Sequence, residues 1–252
     1  APPEIYTLSL HDALPISTLT RLSQRLGYDG FTGLQQVFRR HVSHRDGFYS
    51  ERAGRLTTAD HQDPAVEMIR RIGAEEQGNI ASMIEELNPM AVEAAAEIIA
   101  SSPRVRVYGA RQSASIAGFM AYALGMLRND AALLESQHQG VAHGLAQLDK
   151  GDLLVLIGSA PYTRATAAAA RVAAGQGIRL IAFTDSLASP LAVSADYTFI
   201  TPTAGSFFSN CMASSAVLVE VLLSAVARRL ERQAVAALNH HEALIEALDI
   251  QF

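Results

Sequence analysis

The spacing of apolar positions changes character at about residue 103. Before it, apolar residues recur at helical intervals. After it, short continuous apolar runs alternate with helical stretches. Over 17–42 the pattern reads as helix, turn, helix. Ser17 can cap a helix whose apolar face is Leu19, Leu22 and Leu26. Gly27 ends it in the position where chains turn left-handed, and Tyr28, Asp29 and Gly30 make a tight turn. Phe31, Leu34, Val37 and Phe38 form the next stripe. Residues 43–63 are polar and charged and read as a linker. Pro64 opens a helix carrying Val66, Ile69 and Ile72, with Gly78 a weak point. Asn88 and Pro89 start another, through Val92, Ala95, Ala96 and Ile99.

From residue 103 the pattern predicts strands at 105–108, 132–135, 153–157, 179–183 and 197–200. Helices fit 113–127, 140–146, 164–175 and 206–231, with a last amphipathic helix over 232–248. A run such as Leu153 to Ile157 has no polar face, so its strand is buried on both sides. That implies a five-stranded parallel sheet between two helix layers, an α/β fold of αβα type, preceded by a partial all-α helix-turn-helix domain. Right-handed crossovers bring the loops after the strands to one sheet edge. The expected divisions are 1–16, 17–56, 57–102, 103–231 and 232–252. Residues 1–16 fit none of this patterning. The string from Tyr6 to Ile16 looks like translated sequencing-adapter DNA, so 1–16 is read as a non-native leader.

Charge sharpens the division. The net charge is −5, but residues 17–56 hold Arg21, Arg25, Arg39, Arg40, Arg45, Arg52 and Arg55 against only Asp29, Asp46 and Glu51. The remainder is acidic. A small basic segment before a larger acidic domain points to a nucleic-acid module beside a separate one, or to surface arginines clustered by chance. Cys211 is the only cysteine, which excludes an intrachain disulfide and fits a reducing cytoplasm. The most apolar stretch, Cys211 to Val226, contains Glu220 and is followed by Arg228 and Arg229. It reads as a buried helix, and no membrane partner is expected.

Two strand ends carry candidate chemistry. After the first strand come Arg111, Gln112 and Ser113. An arginine fork and a hydroxyl at a helix start suit a phosphate or carboxylate. The plain alternative is that Arg111 pairs with an acid and Ser113 caps the helix. After the third strand come Ser159, Tyr162, Thr163, Arg164 and Thr166. Hydroxyls around a helix start suit phosphate oxygens, or Thr163 merely caps and Arg164 is solvated. His138 follows the second strand, where this architecture places ligand-facing residues. Asp185 and Ser186 end the fourth strand, as sugar hydroxyl partners or as a turn cap. His143, His240 and His241 have no spacing that makes a metal set, so no metal and no cofactor are expected.

Residues 103–230 resemble a sugar isomerase (SIS) domain. The segments carrying the likeness are Val105 to Ser113, Gly151 to Ile157, Ile181 to Asp185 with Ser189 to Ala192, and Ala195-Asp196. Thr18 to Leu22 with Leu26 to Phe31 resembles the end of the helix-turn-helix domain of RpiR/MurR-type transcriptional regulators. The resemblance implies a cytoplasmic DNA-binding regulator. Its SIS domain would sense a phosphorylated sugar or related carbohydrate, and it would act as a homodimer or homotetramer. It places Thr18, Thr20, Arg21 and Arg25 on the recognition helix, where threonine and arginine contact base edges and phosphates. The chain departs from the family in two places. The earlier part of the DNA-binding domain is missing or replaced by 1–16, and the usual Ser-x-Ser-Gly-x-Thr loop is Gly158-Ser-Ala-Pro-Tyr-Thr163 here.

An aldose–ketose isomerase needs a base between adjacent carbons. Only Glu135 and His138 are candidates near the loops, and the segment Thr201 to Phe207 has no carboxylate. The sequence therefore favours a sensor over an enzyme. An isomerase and a ligand-free dimerisation module stand as alternatives.

Overall fold

A computed structural model describes residues 16–33, 48–58, 65–135 and 140–250. The chain divides into two units, 1–46 and 47–252. In the first, helix α1 spans Ile16–Arg25. It stops at Gly27, whose φ of 84° is the left-handed conformation that glycine adopts without penalty. The N–H of Gly27 bonds the carbonyl of Gln24 at 3.1 Å, and that of Tyr28 bonds the carbonyl of Ser23 at 3.0 Å. This bond pair closes a helix end with a C′ glycine, as the sequence predicts. Of the stripe expected at Phe31, Leu34, Val37 and Phe38 all but Phe31 lies outside the described residues, as does all of the expected leader 1–16 except Ile16, which opens α1.

In the second unit, α2 (Phe48–Thr58) corrects the linker expected over 43–63. Phe48 is buried, stacks edge-on against Tyr49 and lies under the Arg52 guanidinium at 4.2 Å. One deep aromatic anchors a helix that shows little other apolar patterning. Next come α3 (Ala65–Glu86), continuous across Gly78, and α4 (Pro89–Ser101), capped by the Asn88 side chain on the Met90 N–H.

The αβα core follows in the expected order: β1 (Val105–Gly109), α5 (Ser113–Leu127), β2 (Ala131–Leu133), α6 (Val141–Ala146), β3 (Leu153–Ile157), α7 (Arg164–Gly175), β4 (Arg179–Thr184) and β5 (Tyr197–Ile200). Then α8 (Ala213–Leu230) and α9 (Arg232–Ala247) close the chain. The start of α8 is a second correction. The apolar pattern predicts a helix from 206, yet 201–212 is irregular.

The five strands are parallel, in the order β2-β1-β3-β4-β5. Alternate residues of β3 serve opposite faces, as strand geometry requires. Leu153, Val155 and Ile157 join α4, α5 and α8 in one cluster. Leu154 and Leu156 join Ala169, Ala170 and Ala173 of α7 in the other. Both faces are therefore buried, and the short side chains of α7 let it lie close to the sheet. The strand order reverses between β1 and β3, so the helices that follow these strands leave on opposite faces. A crevice opens between them at the carboxyl edge, where such sheets bind ligands. Among the described residues, no helix is long and apolar enough to cross a membrane.

Candidate functional site

The pocket in this crevice is lined by Tyr49, Arg111 to Ser113, Gly158, Ser159, Pro161 to Thr163, Thr166, Leu191 and Asn210, among others. Two helix starts meet there. The start of an α-helix carries partial positive charge, although here the N–H groups of Ala114 and Ser115 bond the Arg111 and Gln112 carbonyls at 3.1 and 3.2 Å, and that of Thr166 bonds the Thr163 hydroxyl at 3.2 Å. Among the described residues, Arg111 is the one charged side chain in the lining, and no carboxylate shares the wall with it. A pocket built this way attracts anions.

The first loop links β1 to α5 in three residues. Arg111 sits at φ 57°, a left-handed conformation that costs a non-glycine residue about 1 kcal/mol. Its Nη2 donates to the Tyr49 hydroxyl at 2.8 Å, and the guanidinium lies 5.1 Å from the Tyr49 ring centre. Gln112 does not face a ligand freely. Its Nε2 donates to the Asn210 carbonyl at 2.7 Å. Its Oε1 accepts from Ser209 Oγ at 2.5 Å and from the Asn210 N–H at 3.2 Å. Ser113 is buried at the helix start.

The second loop, 158–163, joins β3 to α7. Thr163 caps α7, accepting the Thr166 N–H at 3.2 Å, and its hydroxyl meets that of Thr166 at 2.7 Å. Asp185 braces this loop from the end of β4. It accepts the Ala160 N–H at 3.1 Å and the Tyr162 hydroxyl at 2.6 Å. Burial, then the Asp185 carboxylate, raises the Tyr162 pKa above the usual phenol value. Tyr162 therefore stays protonated and donating. Asn210 holds the loop from the other side, its Nδ2 donating to the Ala160 carbonyl at 2.9 Å.

The far wall, 201–212, is held by side chains distant in sequence. Asn79 Nδ2 donates to the Ala204 carbonyl at 2.7 Å. Glu75 accepts the Ser206 N–H at 2.8 Å and hydroxyl at 2.9 Å. Glu76 accepts the N–H groups of Met212 and Ala213 at 3.2 Å each, placing a carboxylate at the start of α8 where the helix dipole favours it. Arg52 Nη1 donates to the Ser209 carbonyl at 2.5 Å. These bonds replace the helical ones, which is why α8 begins later than its apolar pattern predicts. Within this wall the Cys211 thiol is buried, and burial, then Glu76, pushes its pKa up to about 11. It is a packing residue rather than a nucleophile.

Residues 98–227 match the SIS domain family, more than half of the 252-residue chain. The chain belongs to this family. The SIS fold is also seen in solved structures. The sugar isomerase domain of an RpiR transcription factor from Sphaerobacter thermophilus is 29% identical, with a TM-score of 0.65, covering 72% of this chain and 99% of that one. NanR of Vibrio vulnificus, complexed with ManNAc-6P, is 17% identical with a TM-score of 0.65, covering 92% of this chain and 81% of that one. An Escherichia coli CFT073 protein in complex with a ligand is 19% identical with a TM-score of 0.60, covering 72% of this chain and 99% of that one. A search of curated proteins finds no match.

The SIS domain gathers most of the residues singled out in the sequence. Arg111, Gln112, Ser113, Ser159, Tyr162, Thr163 and Thr166 all line one pocket. Arg164 does not. It is exposed on the first turn of α7 and absent from the lining. His138 lies outside the described residues. Asp185, half-buried, braces a loop through the Ala160 N–H and the Tyr162 hydroxyl, and Ser186 caps a turn through the Ala188 N–H. His143 and His240 are exposed, and no group of three metal-ligating side chains forms among the described residues. Thr18, Thr20, Arg21 and Arg25 lie on α1, with both arginines exposed. Tyr49, Leu191 and Asn210 also line the pocket; Leu191 falls in a segment that carries the SIS likeness, and no sequence signal marks Tyr49 or Asn210.

Proposed function

We propose that this chain is a DNA-binding transcriptional regulator whose SIS domain senses a phosphorylated sugar or a related carbohydrate. One observation carries the reading: a pocket at two helix starts, lined by hydroxyls and a single guanidinium, with no carboxylate in its described lining. That is chemistry for holding a phosphate. The ManNAc-6P bound by one structural neighbour agrees with it, and the RpiR neighbour supports the regulatory half. The exposed Arg21 and Arg25 of α1, ahead of a tight turn, suit contact with DNA backbone and bases. In this reading the protein is a cytoplasmic homo-oligomer rather than an enzyme. Effector binding biases it between two arrangements of different operator affinity.

The test is a thermal-shift screen of the full chain against pentose and hexose phosphates and amino-sugar phosphates, ManNAc-6P included. A true effector stabilises by about 2.7 kcal/mol at a hundred times its Kd. Ser159→Ala should weaken the hit about 10- to 100-fold, the scale of one hydrogen bond to an anion. Arg164→Ala should leave it unchanged, because that side chain stands outside the pocket. Turnover of the hit would move the protein to the isomerases. A flat screen would overturn the sensor.

A further inference from the structure

The one cation in the described lining of the pocket is already engaged. Arg111 is tied to Tyr49 through a 2.8 Å bond to its hydroxyl and by its guanidinium lying over the Tyr49 ring. Tyr49 lies in the first turn of α2, the helix that opens the second unit, and itself lines the pocket. Arg111 also keeps a left-handed backbone, φ 57°, where glycine would be at ease. Non-glycine residues held in that region recur at ligand clamps and switches. A neutral phenol is a weak acceptor for a guanidinium beside an anion, which offers a charge-assisted, two-pronged alternative.

We infer that the Arg111–Tyr49 contact is a ligand-competed latch: an anion in the pocket takes the guanidinium from Tyr49 and loosens α2. The inference rests on reading the pocket as an anion site, and it names the residue pair through which occupancy leaves that site. Phe48 and Arg52 keep α2 attached when Tyr49 lets go, since Phe48 is buried and Arg52 holds the Ser209 carbonyl. The helix therefore loses one tether and is not expelled.

The experiment uses the full chain with inorganic phosphate as probe. Titration calorimetry gives the Kd for wild type, Tyr49→Phe, which removes the acceptor and keeps the ring, and Tyr49→Ala, which removes both. Hydrogen exchange reports the amides of 48–58 with and without phosphate. Tyr49→Phe should bind about three- to tenfold more tightly than wild type, the scale of one partly exposed charged hydrogen bond, and Tyr49→Ala at least as tightly. In wild type, phosphate should speed exchange at 52–58, the amides of α2 that bond the carbonyls of its first turn or the turn after it. Equal affinities in all three proteins, or amides of 48–58 unmoved at saturation, would overturn the latch and leave the anion site standing. Failure of every protein to bind phosphate would overturn latch and site together.

Discussion

Gly109→Ala should lower the melting temperature by roughly 6–12 °C, the product of the two costs worked out below, and abolish effector binding at the same time. A Cβ at this position would lie 2.5 Å from the Ser113 carbonyl oxygen, 2.8 Å from its carbon and 3.2 Å from the Ile157 oxygen. All three are backbone atoms, so no side-chain rotation gives relief. Either α5 moves off the end of β1, or β1 parts from β3 at the Gly109–Ile157 pair. Overpacking of this kind costs about 3 kcal/mol, and 1 kcal/mol is worth about 2–4 °C in a unit of this size. The same displacement carries Arg111 and Ser113 out of the pocket. Gly118→Ala, within α5, is the control. Nothing lies within 4 Å of its added methyl, so it should be neutral or stabilising by up to about 1 kcal/mol. Thermal unfolding of both proteins decides it, and equal melting temperatures would refute the close-approach argument.

Arg111→Ala should cut affinity for the proposed phosphorylated effector about 10- to 100-fold, the loss of a charge-assisted bond worth about 1.5–3 kcal/mol. Stability without ligand should barely change, because the residue is exposed and its side chain bonds only Tyr49 among the described residues. Arg111→Lys should recover part of the loss, since an ammonium supplies the charge without the fork. Calorimetry with the hit from the screen measures both variants. An unchanged Kd in Arg111→Ala would remove the cation from the proposed site.

The layers of this fold are legible in the sequence because they depend on local periodicity. The run Leu153 to Ile157 has one meaning only, a strand covered on both faces, and the structure has it there. Thr163 after Pro161 signals a helix start, and α7 begins at Arg164. The pocket's two loops can be found because they follow parallel strands. Roles within them cannot. Gln112, which lines the pocket, and Asp185, a sugar-hydroxyl partner or turn cap by sequence, also brace the loops through partners 98 and 23–25 residues away, which no local pattern shows. Asn210 carries no motif and acts through a carbonyl 50 residues off. The helix α2 is hidden because its buried apolar contact is one ring, Phe48, and not a stripe, the rest of its hold being the polar bonds of Tyr49 and Arg52. The late start of α8 is hidden because Phe207, Phe208, Cys211 and Met212 continue an apolar pattern, while remote glutamates and Asn79 capture the backbone instead.

The wall over 201–212 has a consequence for how this binding unit is inherited. Family likeness begins at residue 98, yet the side chains that shape this wall include Arg52, Glu75, Glu76 and Asn79. A cassette cut at the family boundary would keep its sheet and lose the finish of its mouth. The helices upstream must travel with it in any fusion or domain swap. Sequence drift between residues 52 and 79 should then alter what the pocket admits, although none of those four side chains borders the pocket.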